Sequence, residues 1–318
     1  MTPPCLKLVA VRDAFRSNAR WPSCHCATVS ALGDGRLGAA WYAGSYETAP
    51  DQAILYSRFD CQALIWDPPT VLVDTPGKAD GNPVLWRAKS GTTWLFYVTI
   101  VGHWWHECKV FAAASPDGVR WDAPSAIREE WGWMTRARPL ELDGGPVLLP
   151  LYDERDWSAH VATWRDGRLG ARWGHLTTSQ GVIQPSLVPL GDGRVGMYLR
   201  TGGRGGSIWY SQSEDGGRTW AYPEPTPLPN PNSGIDALRL HDGRLVLAYN
   251  ESRSRRTPLA LAVSRDEGRT WQREAIVASG PGEFSYPVLL EGPDERLHLL
   301  YTHRRRAIRH CIYETRSR

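Results

Sequence analysis

Apolar runs alternate with polar turns along the chain, and one arrangement recurs. A polar residue leads an apolar run, a tight turn follows, and a second apolar run ends at an aromatic. It reads HCATVSALGDGRLGAAWY from His25, NPVLWRAKSGTTWLFY from Asn82 and RPLELDGGPVLLPLY from Arg138. It returns as QPSLVPLGDGRVGMY from Gln184, IDALRLHDGRLVLAY from Ile235 and YPVLLEGPDERLHLLY from Tyr286. Asp-Gly and Ser-Gly between apolar runs are hairpin signals. The turns at Gly35, Gly91, Gly144, Gly193, Gly243 and Asp294 follow one another about every 50 residues, enough chain for four strands. Six such units predict an all-β fold, a six-bladed β-propeller of four-stranded blades, with 1–318 as a single domain. The sixth unit is short at its C-terminal end, so residues 6–11 are expected to supply its outer strand and close the ring.

A second pattern keeps fixed phase with the first. SEDGGRTW at 213–220 and SRDEGRTW at 264–271 both fit S-x-D-x-G-x-T-W, and SPDGVRW at 115–121 is one residue shorter. The segments 57–66 and 166–173 are degenerate copies. Ser and Asp side chains can cap the amides of such a turn, Gly supplies a positive φ, and Trp packs beneath. These carboxylates are therefore read as structural.

Composition narrows the partners. Lys and Arg together number 37 against 34 for Asp and Glu, a balance that points neither to nucleic acid nor to an anionic membrane. No stretch approaches the length of an apolar membrane span, and the N-terminus has no signal-peptide pattern, so a cytoplasmic location is expected. The six cysteines form no C-x-x-C pair. In a strand, His25 would point away from Cys24 and Cys26, so buried thiols rather than a metal are expected there. No phosphate loop, dinucleotide fingerprint or H-E-x-x-H motif is present, and neither cofactor nor metal is expected. His303 and His310 carry no ligand spacing.

In a propeller the innermost strands line the channel, and the residues that start them ring one mouth. His25, Asn82, Arg138, Gln184, Asp236 and Tyr286 are nominated for that ring. They are read either as ligand-binding groups or as a network closed through water. Asp236 is a further acid at the mouth or a turn-capping group. The loops that follow the second strands are polar: SYETAPD at 45–51, IVGHWWHE at 100–107, DERDW at 153–157, TGGRGG at 201–206, ESRSRRT at 251–257 and THRRR at 302–306. His103 and Trp104, with Trp105 and His106, offer a stacking platform for a sugar ring or simply a packed loop. Arg304, Arg305 and Arg306 are read as a solvated charge run, with an anionic substrate tail as the alternative.

The two full S-x-D-x-G-x-T-W turns and the short one, in phase with six blades, resemble the Asp-box (BNR-repeat) sialidase superfamily, in its divergent sialidase-like branch. The resemblance covers nearly the whole chain. It implies three arginines on a substrate carboxylate, a Tyr nucleophile activated by a Glu, and an Asp acid/base. Tyr286, which leads the last inner strand ahead of Leu299-Leu300-Tyr301, matches the family's Tyr. Arg256 in RTPLALAVSRDEGRTW matches the third arginine, with Arg255 as the neighbour, and Arg200 in GDGRVGMYLR matches the second. Two positions depart. Gln184-Pro185 stands where the activating Glu belongs, and His25 stands in place of the first arginine. Asp51, or Glu47, falls in the loop of the acid/base.

Three functions follow. A glycoside hydrolase would hold a carboxylated sugar, sialic-acid-like or uronate-like, on Arg200 and Arg256, with Tyr286 at the anomeric centre and Asp51 as proton donor. A polysaccharide lyase on a uronate-containing glycan would use Arg200, Arg256 and Gln184 to acidify the α-proton, with Tyr286 and His25 as base and acid, since His ordinarily titrates near neutrality. A binding propeller would hold an acidic sugar or a protein without turnover.

Overall fold

The computed structural model describes residues 5–203 and 206–315. They form six antiparallel sheets in a ring, each of four strands or with one further short strand. The first blade is built on Ser23–Ala31, Leu37–Gly44 and Ala53–Asp60, and the second on Ala79–Arg87, Thr93–Ile100, Cys108–Ser115 and Ser125–Arg128. The third holds Val147–Asp153, Ser158–Arg165 and Arg168–Leu176, with two short inner pieces, Trp133–Met134 and Leu140–Glu141. The fourth runs Val182–Pro189, Val195–Thr201, Ser207–Ser213 and Glu224–Pro229, and the fifth Asp236–Arg239, Leu245–Asn250, Leu259–Ser264 and Gln272–Ala278. The sixth combines Phe284–Glu291, Arg296–His303 and Ala307–Thr315 with Leu6–Arg16 from the other end of the chain. The six-bladed propeller read from the hairpin spacing is thus the fold. The closing strand runs beyond residue 11 to Arg16, pairing Leu6 with Thr315 and Arg16 with Ala307.

Second and third strands are almost wholly buried because both faces pack on neighbouring blades, which is why they read as near-continuous apolar runs. The Asp-box turns are held as their composition demands. Ser213 Oγ accepts from the Gly217 amide at 2.7 Å, Asp215 accepts from the Thr219 amide at 2.8 Å, and Trp220 donates to the Gly217 carbonyl at 2.9 Å. Ser264 and Asp266 repeat the arrangement with Gly268 and Thr270, both at 2.8 Å. All six cysteines are free and buried. No helix among the described residues is long and apolar enough to cross a membrane.

One backbone feature aims side chains at the axis. Four inner strands carry the same bulge, and its central residue is left-handed although it is not glycine: Cys26 (φ 57°), Asn82 (46°), Gln184 (53°) and Tyr286 (52°). The partner strand skips register at each, as between His25 and Thr28 or Ser285 and Val288. Three of the four precede proline, which cannot donate to the ladder and so favours a bulge. Left-handed backbone at bulky residues is uncommon and concentrates at functional sites. In the first blade the ring position therefore belongs to Cys26. His25 lies one residue earlier, in register with Gly81, Ile183 and Ser285.

Candidate functional site

The bulges bring Asn82, Gln184 and Tyr286 to one mouth of the channel. A cavity of about 190 Å³ opens there, lined by Glu47, Asn82, Trp105, Met134, Tyr152, Glu154, Trp157, Arg200, Arg256, Tyr286 and Arg305. That is below the roughly 300–1,000 Å³ of drug-sized sites and suits a single ring. A larger open groove of about 700 Å³ adjoins it, sharing Arg256.

Hydrogen bonds run around the cavity. Asn82 Nδ2 and Gln184 Nε2 both donate to the Tyr152 hydroxyl, at 2.9 and 3.2 Å. Gln184 Nε2 also lies 3.5 Å from the Tyr286 hydroxyl, while its Oε1 is buried without a partner. Arg200 donates through Nη1 to the Tyr286 hydroxyl at 2.8 Å and through Nε to Asn232 at 2.7 Å. Arg256 donates to the Asn232 carbonyl at 3.1 Å and pairs with Glu283 at 3.5 Å. Arg305 bridges Glu283 at 3.3 Å and Glu47 at 2.5 Å, and Glu47 accepts from Tyr42 at 2.9 Å. Arg136, Arg200 and Arg256 stand 5.2, 5.8 and 5.5 Å from the centre of the Tyr286 ring.

Three guanidiniums thus converge on the cavity. The third, Arg305, comes from the run read as solvated charge. It turns inward because the hairpin after Arg296–His303 is left-handed at Arg304 and Arg305 and is tied down by the Cys24 amide on the Arg305 carbonyl, 3.0 Å. Arg204, in the loop 201–206, lies outside the described residues.

His25 has no place in the lining. Its ring is buried, 4.2 Å from that of Tyr286, with neither nitrogen hydrogen-bonded. Desolvation, then the charges of Arg305, Arg256, Arg136 and Arg200, hold it well below the ordinary histidine range. It is a neutral ring packed under Tyr286 rather than a group that changes charge near neutrality. Asp51 also stays out of the cavity. It accepts from the Ser45 amide at 3.1 Å and hydroxyl at 2.6 Å. Slight desolvation acts to raise its pKa, but these hydrogen bonds prevail and keep it below the usual carboxylate range. Glu47, its neighbour, takes the lining position.

Glu154 is the second carboxylate of the cavity. Desolvation raises it above the ordinary range, against the opposing charge of Arg200, so it keeps its proton to higher pH than a free side chain. Burial and then the Glu154 charge push Tyr152 well up. Arg138 and Asp236 leave the mouth and pair with each other at 3.2 Å. Asp236 also accepts from Ser186 and the Leu289 amide, at 2.9 and 2.8 Å. Trp104 is 64% exposed and His103 is exposed, while Trp105 turns in and stands 6.1 Å from Tyr42. Gly81 makes room for it, since a Cβ there would meet the Trp105 ring at 2.8 Å.

A family model described as a BNR repeat-like domain matches residues 35–299. The chain belongs to this BNR repeat-like family. Among solved structures it is similar to a protein of unknown function from Dyadobacter fermentans, at 18% identity over 98% of this chain and 100% of that one, TM-score 0.84. It is similar to the NanB sialidase from Streptococcus pneumoniae, at 12% identity over 97% and 70%, TM-score 0.81. The intramolecular trans-sialidase from Ruminococcus gnavus, at 14% identity over 95% and 96%, gives a TM-score of 0.75. No curated protein matches the chain. At these identities the likeness of the BNR repeat-like chain to the solved structures establishes its propeller fold.

Proposed function

We propose that this chain is a carbohydrate-active enzyme, a glycosidase for a carboxylated sugar. One observation carries the reading: Arg200, Arg256 and Arg305 line the same one-ring cavity as Tyr286. Guanidiniums recognise carboxylates by paired, charge-assisted hydrogen bonds. Tyr286 acts at the anomeric centre. Arg200, donating to its hydroxyl, stabilises developing phenolate charge where the family's Glu would have removed the proton. Glu154, whose pKa desolvation raises, donates to the leaving oxygen. Sugars of this charge are also consistent with the sialidases among the similar structures.

A second reading rests on the same hydroxyl. Among the described residues Tyr286 has Arg200 and Gln184 as hydrogen-bond partners and no carboxylate. Binding of the acidic sugar without turnover follows if cations alone do not activate it. The lyase reading loses its acid, because His25 is buried and held neutral.

The test is turnover of a fluorogenic sialoside beside a uronate oligosaccharide, with the methyl ester of each as control. Release from the acid but not the ester supports the glycosidase. Ultraviolet absorbance of an unsaturated product would revive elimination, and binding of the acid without release would leave a lectin-like propeller. In Arg256→Ala, affinity for the acid should fall about 10- to 100-fold and that for the ester hardly at all.

A further inference from the structure

Away from the mouth, where the last blade meets the first, Cys61, Asp294 and His298 offer a sulfur, a carboxylate oxygen and a ring nitrogen that all lie within 4.8 Å of one another. They come from two ends of the chain. Cys61 sits in the turn after Ala53–Asp60, where the first blade has a degenerate Asp-box. Asp294 and His298 belong to the first hairpin of the last blade. Asp-box turns elsewhere rest on apolar or aromatic side chains of the preceding blade: a Cβ at Gly118, Gly217 or Gly268 would strike Leu32, Leu148 or Tyr198. At this junction the turn carries a thiol and the hairpin beneath it an imidazole.

The thiol is the unexplained group. Asp60 accepts from the amides of Gln62 and Ala63, at 2.9 and 2.8 Å, and so caps the turn in the usual way. Cys61 takes no part in that capping. It is 8% exposed and has no hydrogen-bond partner among the described residues. Asp294 Oδ2 is also buried without a hydrogen bond, with Arg296 no nearer than 3.8 Å. The His298 ring is fixed from behind. Its Nδ1 lies 2.9 Å from His310 Nε2, and its Nε2 faces Asp294 Oδ1 at 2.8 Å. Both imidazoles are fully buried, with Phe59 and Trp66 of the first blade edge-on to His310 at 4.7 and 5.4 Å. Gly292 keeps the space open, since a Cβ there would meet Asp294 Oδ1 at 2.6 Å and His298 Nε2 at 2.7 Å.

A thiolate, an imidazole nitrogen and a carboxylate oxygen form a ligand set for a borderline-soft divalent ion, and a second polar group orienting the ligating histidine is a regular companion of such sites. We infer that Cys61, His298 and Asp294 bind one zinc ion, which clips the last blade to the first. Zinc displaces the proton of the Cys61 thiol and the one shared between His298 Nε2 and Asp294. Both go to solvent, and three metal–ligand bonds form, leaving the fourth position for water.

Cobalt(II) added to the chelator-treated full chain tests this. A thiolate-to-cobalt charge-transfer absorption saturating at one equivalent is expected, displaced by zinc. Cys61→Ser should abolish it and Cys108→Ser should keep it. Zinc in roughly 100-fold excess over its Kd should raise Tm by about 5 °C in the wild type and not in Cys61→Ser. X-ray absorption on the wild type covers the case in which the variant does not fold. One sulfur at about 2.3 Å beside nitrogen and oxygen at about 2.0–2.2 Å supports the site. No absorption band and no Tm change in the wild type overturn it, as does a band that persists in Cys61→Ser.

Discussion

The Tyr286 hydroxyl takes its 2.8 Å hydrogen bond from the Arg200 guanidinium, and the neutral amide of Gln184, at the position where the resemblance implied an activating carboxylate, lies 3.5 Å away. An N–H donor favours the phenolate and cannot accept the proton. On the proposed chemistry the proton of Tyr286 leaves by way of substrate or solvent, and three predictions follow from the groups around it.

Tyr286→Phe should lower turnover of the carboxylated sugar about 1,000-fold while affinity changes by no more than a few-fold. Stopped assays alongside calorimetric titration separate the two quantities. Equal parameters for variant and wild type would place Tyr286 outside the chemistry.

Gln184→Glu puts a base beside both tyrosines. Gln184 lies within 3.5 Å of Tyr286 and 3.2 Å of Tyr152, so a carboxylate there would accept from two hydroxyls. Turnover should rise about 100-fold above pH 6, at some cost in stability for a buried charge. The ratio of variant to wild-type kcat is the measurement, and a fall in kcat would count against the assigned chemistry.

Glu154 links activity and stability to pH. Its folded pKa is raised by desolvation, so the folded state holds the proton more tightly than the unfolded chain does. The stability this contributes is complete below the unfolded value and is lost as pH rises through the folded one. Glu154→Gln removes the loss and should be more stable than wild type at pH 8, with little difference at pH 4. Its kcat should drop and lose the alkaline limb of the pH profile. Urea melts at the two pH values and a pH–rate series read both effects.

Ser213→Ala should leave the site untouched. It deletes the acceptor of the Gly217 amide at 2.7 Å, a cap worth about 1 kcal/mol, so Tm should fall by about 2–4 °C. Calorimetry gives the shift, and unchanged kcat/KM confirms that the Asp-box is scaffold.

How much of this was legible in the residues depends on where each side chain gets its direction. Asn82, Gln184 and Tyr286 could be found because each is the polar residue that leads an inner strand of the repeat, and the bulge before the following proline then aims it at the axis. Arg200 and Arg256 could be found from strand-end positions. Glu154, Trp105, Trp157 and Arg305 sit on loops, where inward and outward orientation depends on the packing of neighbouring blades. Trp104 and Trp105 are chemically alike, and only the short turn at Trp105–Glu107 sends the second one inward. Arg138 and Asp236 look like mouth groups in their own segments, yet each is the other's partner across 98 residues. The thiol of Cys61 and the imidazole of His298 are likewise joined only by closure of the ring.

That closure has a kinetic consequence. The Arg309–Asp13 contact in the seam spans 296 residues, and drawing together chain segments so far apart costs about 5 kcal/mol in loop entropy before any other term. The strand Leu6–Arg16 must wait for its partner Ala307–Thr315, while the blades between them can gather first. The seam is then expected to close last in folding and to open first in unfolding. Hydrogen exchange at 6–16 should accordingly be faster than in the second strands of the other blades. If the seam opens first, the time the protein survives a protease follows the strength of this one antiparallel pair rather than the packing of the rest of the ring.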